Sequence, residues 1–162
     1  MSVLFLIGSA SDLDKVKPAL GVFKDFGVGY EVHICSAHRT PRKAEELVKN
    51  ARGNGFRVVI CAAGMAAHLA GAAAANTILP IIGIPISSGA LGGVDALYST
   101  VQMPPGVPVA TVAIDGAQNA VLLAIQILAT SDQHLADKLI EYKQGLAAKV
   151  EKADLEFQET QQ

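Results

Sequence analysis

The sequence predicts an α/β protein: a three-layer αβα sandwich around a parallel sheet, extended by a long C-terminal helix. Five short apolar runs recur along the chain with helix-like segments between them, the alternation that βαβ units produce. Three of the runs are almost continuously apolar, as strands covered by helices on both faces must be. Beyond residue 131, a helically spaced apolar stripe continues past what a five-strand core needs.

The first run, Val3 to Ile7, is a strand, and a helix follows Ser11 or Asp12, either of which can cap it. Leu13, Val16, Leu20 and Phe23 then fall on one helical face, and the helix ends near Gly27. After the second strand, Tyr30 to Ile34, Thr40 and Pro41 supply an N-cap and a first-turn proline, and Ala44, Leu47, Val48 and Ala51 keep the helical period. The third strand, Val58 to Ala62, leads into an Ala-rich helix from Ala66 to Asn76, whose small side chains permit close packing. Ile81 to Ile84 and Val109 to Ile114 are strands, followed by helices at Val94 to Val101 and Asn119 to Ala129. From Asp132, the spacing of Leu135, Leu139, Tyr142, Leu146, Val150 and Phe157 predicts the long helix. Its stripe needs a partner, and the expectation is an arm over 131–160 packing on a neighbouring subunit rather than folding back.

A length of 162 residues suits a single domain over 1–162. The hydrophobic fraction of 51% and charged fraction of 17% describe a soluble chain with much surface to bury, some of it between subunits. A net charge of -2 offers no basic stripe, so nucleic acid is not an expected partner. Cys35 and Cys61 end apolar runs and form no close pair, which suits reduced thiols in a cytoplasmic protein. The start MSVLFLIG lacks a basic n-region and reads as a strand rather than a signal peptide. The apolar stretches Ala66 to Ala75 and Val121 to Ala129 are too short to span a bilayer, so no membrane association is expected.

In open parallel sheets, ligands bind beyond the carboxyl ends of the strands, so the loops after the first four strands hold the candidate site. The first, Gly8-Ser9-Ala10-Ser11-Asp12, combines hydroxyls, a glycine and a helix N-terminus, a combination suited to a phosphate monoester. Asp12 there either accepts from ribose hydroxyls or caps the helix. The second places His38 beside Arg39, a proton shuttle beside a permanent cation that forks onto phosphate or carboxylate. His68 opens the Ala-rich helix and either faces the same crevice or packs. His33 and His134 read as solvated or structurally satisfied. The loops are neither GxGxxG nor GxxxxGK[ST], so dinucleotide and triphosphate binding gain nothing. No histidines or carboxylates show metal spacing, so no metal is expected. The serines lack a Gly-x-Ser-x-Gly elbow and an evident Asp partner for His38, which disfavours serine hydrolysis.

Gly8-Ser9-x-Ser11-Asp12, Ser36-Ala37-His38-Arg39-Thr40-Pro41, Ala66-Ala67-His68-Leu69 and the run from Gly93 to Pro104 together resemble the PurE family, the catalytic subunit of phosphoribosylaminoimidazole carboxylase. The resemblance runs from about Val3 to Ala129. It implies a flavodoxin-like fold, a homo-octamer with the C-terminal helix on a neighbour, no cofactor, and a ribonucleotide substrate with CO2. Two activities are open: a mutase converting N5-carboxyaminoimidazole ribonucleotide to the 4-carboxy isomer, or a direct CO2-dependent carboxylase of aminoimidazole ribonucleotide. His38-Arg39-Thr40-Pro41 is similar to the mutase type, since the direct carboxylases tend to carry lysine at the position of Arg39. A non-enzymatic, nucleotide-sensing flavodoxin-like domain is the rival from another class. It fits less well because receiver-type domains need an acidic cluster beside the first strand and a lysine after the fifth.

The resemblance assigns His38 as general acid and base. It places Ser9, Asp12 and Arg39 on the ribonucleotide, Asp12 on the ribose and Arg39 with serine hydroxyls on the phosphate, and Ser11, Ser36, Ala66 and His68 are the further candidate substrate-binding residues. One stretch departs from the family: where a glycine-rich Ala-Gly-Ala-Gly-Gly-Ala-Ala-His-Leu-Pro-Gly is usual, this chain carries Ala62, Met65 and Ala70 in place of glycine, glycine and proline. Methionine resists the positive φ that glycine allows. The loop is therefore expected to take a different shape and to crowd the CO2 pocket.

Overall fold

In the computed structural model, which describes residues 2–161, β1 (Ser2–Ile7) lies inside a parallel sheet of order β2-β1-β3-β4-β5. The other strands are β2 (Gly29–Ile34), β3 (Phe56–Gly64), β4 (Ile81–Ile86) and β5 (Ala110–Thr111). This is the flavodoxin-like strand order, whose chain reverses direction across the sheet between β1 and β3. Alternate residues of β1 serve the two faces: Val3, Phe5 and Ile7 pack in one core cluster with Phe23 and Ile125, and Leu4 and Leu6 in the other with Val48 and Leu69.

The first helical stretch is not the continuous helix that the spacing predicts. It is a 3-10 turn at Ala10–Asp12, α1 (Leu13–Val16), a second 3-10 turn at Lys17–Ala19 and α2 (Leu20–Phe26). Pro18 accounts for the break, since it has no N–H to return to the carbonyl of Asp14. Asp12 holds the N-cap position of α1 but makes no side-chain cap bond, and Ser9 caps the 3-10 turn before it, its side chain accepting from the Ser11 amide. Gly27 ends α2 at φ 72, as its position suggests.

The helices α3 (Pro41–Ala51), α4 (Leu69–Ala74) and α5 (Val94–Val101) cover one face of the sheet, while α1, α2 and α6 (Ala117–Ala129) cover the other. The α4 helix is shorter than the Ala-rich run, because Met65 to His68 form its entry turn. The fifth strand is also shorter than its apolar run. The Gly83 and Pro85 carbonyls both face β5, accepting from Val112 and Asp115, and Pro85 has no N–H to give in return.

The α7 helix (Gln133–Glu159) is capped by Asp132, whose side chain accepts from the Leu135 amide at 3.2 Å. Its opening turns fold back on their own chain, against the expectation of an arm from residue 131. Leu135 is buried, Leu139 and Tyr142 pack on the core, and Tyr142 meets Phe26 edge-on at 5.7 Å. Beyond Tyr142 the apolar stripe is exposed, at Leu146, Val150, Leu155 and Phe157. Among the described residues, no helix is long and apolar enough to cross a membrane.

Candidate active site

The carboxyl ends of β1 and β3, where the chain direction reverses, open into a cavity of about 520 Å³. All eight residues singled out from the sequence, Ser9, Ser11, Asp12, Ser36, His38, Arg39, Ala66 and His68, line it. Sheet order brings them together, because the loops after β2, β1 and β3 are spatial neighbours although the chain separates them.

After β1, the hydroxyls of Ser9 and Ser11 are 2.9 Å apart, and Ser11 Oγ is 3.2 Å from Asp12 Oδ1. Asp12 is buried and its side chain makes no cap bond to α1, which leaves its carboxylate to the cavity. After β2, the chain closes into a tight loop held by Thr40: its hydroxyl accepts from the Ser36 amide at 2.8 Å, and its amide donates to the Ser36 carbonyl at 2.8 Å. Ser36 Oγ accepts from the Arg39 amide at 3.2 Å. Arg39 then reaches across to the first loop, donating from Nη2 to the Gly8 carbonyl at 3.2 Å. Among the described residues, its remaining guanidinium donors take no protein partner, so a permanent cation with open donors faces the serine hydroxyls.

After β3, Met65 adopts φ 56. The expectation that methionine would refuse the glycine-like conformation is therefore corrected. The backbone accepts the strain, the Ala67 amide closes the turn onto the Met65 carbonyl at 2.8 Å, and the Met65 side chain is exposed at the cavity rim. His68 stands at the N-cap of α4 with its ring against His38, centroids 5.4 Å apart and planes at 84°. It therefore faces the crevice rather than the core. Both thiols lie apart from this chemistry: burial pushes the Cys61 thiol well up, with Cys35 nearby adding to it, and burial raises Cys35 despite Lys43.

Sequence reasoning missed a cluster behind the cavity. Asp115, at φ 57, accepts from the Ser87 amide at 2.8 Å and from its hydroxyl at 2.5 Å, and lies 3.3 Å from Lys15 Nζ. Burial pulls the Asp115 carboxyl upward, but the Ser87 hydroxyl and amide together with the Lys15 ammonium outweigh it and hold the group below its usual value. The available signal was the Asp115-Gly116 dipeptide, a turn mark that closes the apolar run of β5.

One cavity thus gathers a pair of serine hydroxyls, an arginine, a buried carboxylate and a histidine pair. The sequence profile of the AIR carboxylase family matches residues 2–149. The chain belongs to the AIR carboxylase family. Among members of this family, the N5-carboxyaminoimidazole ribonucleotide mutase of Methanocaldococcus jannaschii is 47% identical over 157 residues, covering 97% of this chain and 98% of that one. The mutase of the same name from Escherichia coli is 47% identical, covering 88% of this chain and 86% of its own. The crystal structure of Treponema denticola PurE superposes with a TM-score of 0.85 at 30% identity, over 94% of this chain and 95% of that one.

Proposed function

We propose that this chain is an N5-carboxyaminoimidazole ribonucleotide mutase of purine biosynthesis, forming the 4-carboxy isomer by decarboxylation and recarboxylation. The observation that carries the reading is the placement of His38 and Arg39 on one cavity with Ser9, Ser11 and Asp12, in a chain whose full-length relatives bear that name. Arg39 and the serine hydroxyls hold the phosphate, and Asp12 accepts from the ribose hydroxyls.

His38 enters as imidazolium and gives its proton to N5 as the carboxylate leaves as CO2. The CO2 stays against the small side chains of Ala66 and Ala67. C4 of the electron-rich ring attacks it, and the now neutral His38 takes the C4 proton, which restores aromaticity and the imidazolium together. One residue serves both steps because acid and base uses alternate. The amino-substituted ring supplies its own electron push, so the scheme requires no cofactor. General acid-base transfer contributes roughly 10²–10⁴ in rate, and holding CO2 beside C4 supplies much of the remainder. Arg39 itself supports the mutase over direct carboxylation, where lysine is the expected residue.

The chain is further read as one domain over 1–162 in a cytoplasmic homo-octamer, with the distal part of α7 on a neighbouring subunit. The exposed Leu146, Val150, Leu155 and Phe157 support the assembly, and two buried, unpaired cysteines suit a reducing compartment. The deciding assay offers the purified protein N5-carboxyaminoimidazole ribonucleotide, or aminoimidazole ribonucleotide with bicarbonate. Consumption of the first with formation of the 4-carboxy product is expected. Turnover of the second alone would overturn the mutase assignment, and light scattering tests the octamer.

A further inference from the structure

Every polar group of Ser87 is engaged by two side chains that lie outside the cavity lining. Asp115 Oδ1 accepts from its amide at 2.8 Å and Oδ2 from its hydroxyl at 2.5 Å, and Lys15 Nζ bonds its carbonyl and hydroxyl. Asp115 is itself pinned, its amide donating to the Pro85 carbonyl at 2.8 Å. Gly93, at φ 93, closes the far side, since a Cβ there would stand 2.9 Å from Ser87 Cα. Ser87, the residue that carries Ser88, is therefore fixed at its amide, its carbonyl and its hydroxyl. A non-glycine residue at positive φ, as at Asp115, is held only where its surroundings over-determine it.

Ser88 comes next, and it lines the cavity. Its hydroxyl is buried without a hydrogen-bond partner among the described residues. It lies so near Gly64 that a Cβ on that glycine would come within 2.5 Å of it. Gly64 leads directly into Met65 at φ 56 and on to Ala66 and Ala67, the cavity wall that the proposed mechanism sets against CO2. An unbroken series of contacts thus runs from Lys15 and Asp115 through Ser87 and Ser88 to that wall.

We propose that Asp115 and Lys15 are positioning residues for the carboxyl transfer, clamping Ser87 so that Ser88 braces the Gly64–Ala67 wall and keeps CO2 beside C4. The inference rests on the mutase reading. Neither residue lines the cavity, so neither is catalytic; both act on how often CO2 escapes between the two half-steps. When CO2 escapes, protonated N5-carboxyaminoimidazole ribonucleotide yields aminoimidazole ribonucleotide and CO2, and the C4–C bond never forms.

The test supplies N5-carboxyaminoimidazole ribonucleotide to the unaltered enzyme, Asp115→Ala, Asp115→Asn and Lys15→Met. It measures both 4-carboxy product and released aminoimidazole ribonucleotide, corrected for enzyme-free decay. Asp115→Ala should lower kcat roughly tenfold, short of the about 100-fold that a 1 Å misplacement can bring, and should raise the released fraction several-fold. KM should stay within about twofold, since the residues that hold the nucleotide are untouched. Asp115→Asn, which still accepts from the Ser87 amide, should fall between, a graded rescue that a general loss of stability does not produce. Melting temperature and circular dichroism accompany each variant, and Lys15→Met carries the same readouts if Asp115→Ala fails to fold. An unchanged released fraction and kcat, or a change confined to KM, would overturn the proposal. If the unaltered enzyme forms no 4-carboxy product, it is the mutase reading that fails.

Discussion

His38 and His68 stand edge to face, with ring centroids 5.4 Å apart and planes at 84°, one from the loop after β2 and the other at the N-cap of α4. At that separation the two rings are in contact, and changes at residues in contact are expected to be non-additive. His38→Asn should lower turnover by about 10²–10⁴ while nucleotide binding stays within a few-fold. His68→Asn should lower it less, and the double variant should be no slower than His38→Asn alone. Single-turnover rates and titration with product check this, and full additivity of the two losses would separate the residues.

Arg39→Ala should act on binding. Among the described residues its guanidinium has one protein acceptor, the Gly8 carbonyl at 3.2 Å, and the residue lines the cavity. Hydrogen bonds to a charged group contribute about 1.5–3 kcal/mol, so the dissociation constant for the nucleotide should rise roughly 10- to 100-fold with a much smaller change in kcat. Arg39→Lys should recover only part of it, because an ammonium cannot fork onto two oxygens. Calorimetric titration reads both, and an unaltered constant in Arg39→Ala would remove the phosphate role.

The parts of this site that the sequence makes legible are those encoded locally. Apolar runs mark β1 to β4, and the loops after them bring His38, Arg39, Ser9 and Asp12 to one edge by topology alone. What escapes local reading depends on partners distant in the chain. Lys15 and Asp115 are 100 residues apart and meet each other directly as well as over Ser87. The short β5 reflects a missing N–H on its neighbour, Pro85, rather than any weakness of its own apolar run. Met65 shows the limit of propensity, since the Ala67 amide and the β3–α4 connection hold it at φ 56 against its preference.

Asp115 predicts a pH dependence of stability. Its folded value lies below its ordinary one, so the charged form stabilises the fold above the unfolded carboxyl value of about 3.9. That contribution is lost as pH falls through the depressed folded value. The melting-temperature gap between the unaltered chain and Asp115→Asn should hold steady above about pH 5 and narrow below about pH 4. A gap that widens on acidification would reverse the sign of the argument. Partial exposure of the Lys15–Asp115 pair means that added salt should also reduce the gap.

Met65→Gly should stabilise the chain. The left-handed conformation burdens a non-glycine residue by about 1–2 kcal/mol, and the added freedom of glycine in the unfolded chain returns about 0.4–1 kcal/mol of that. With the Met65 side chain 62% exposed, little packing is lost, and a net gain of roughly 0.5–1 kcal/mol follows. Met65→Val should go the other way, as a β-branched residue tolerates positive φ least. Denaturant midpoints at constant m-value distinguish these outcomes.

Gly64 and Ser88 should couple. A Cβ at Gly64 would stand 2.5 Å from Ser88 Oγ and 3.1 Å from the Ile86 carbonyl, so Gly64→Ala overpacks the site and should destabilise by about 1–3 kcal/mol. Ser88→Ala removes a buried hydroxyl that has no partner among the described residues, a change expected to be neutral or to stabilise by about 0.5–1 kcal/mol. The double variant frees the space that the new methyl group needs, although Ser88 Cβ at 3.4 Å and the Ile86 carbonyl still crowd it. Its cost should therefore fall below the sum of the single changes by about 1 kcal/mol, within the range found for contacting pairs. A double-mutant cycle in urea measures the coupling. Strict additivity would mean that the Ile86 carbonyl, not Ser88, sets the space at Gly64, and would loosen the tie between the loop after β4 and the wall of the cavity.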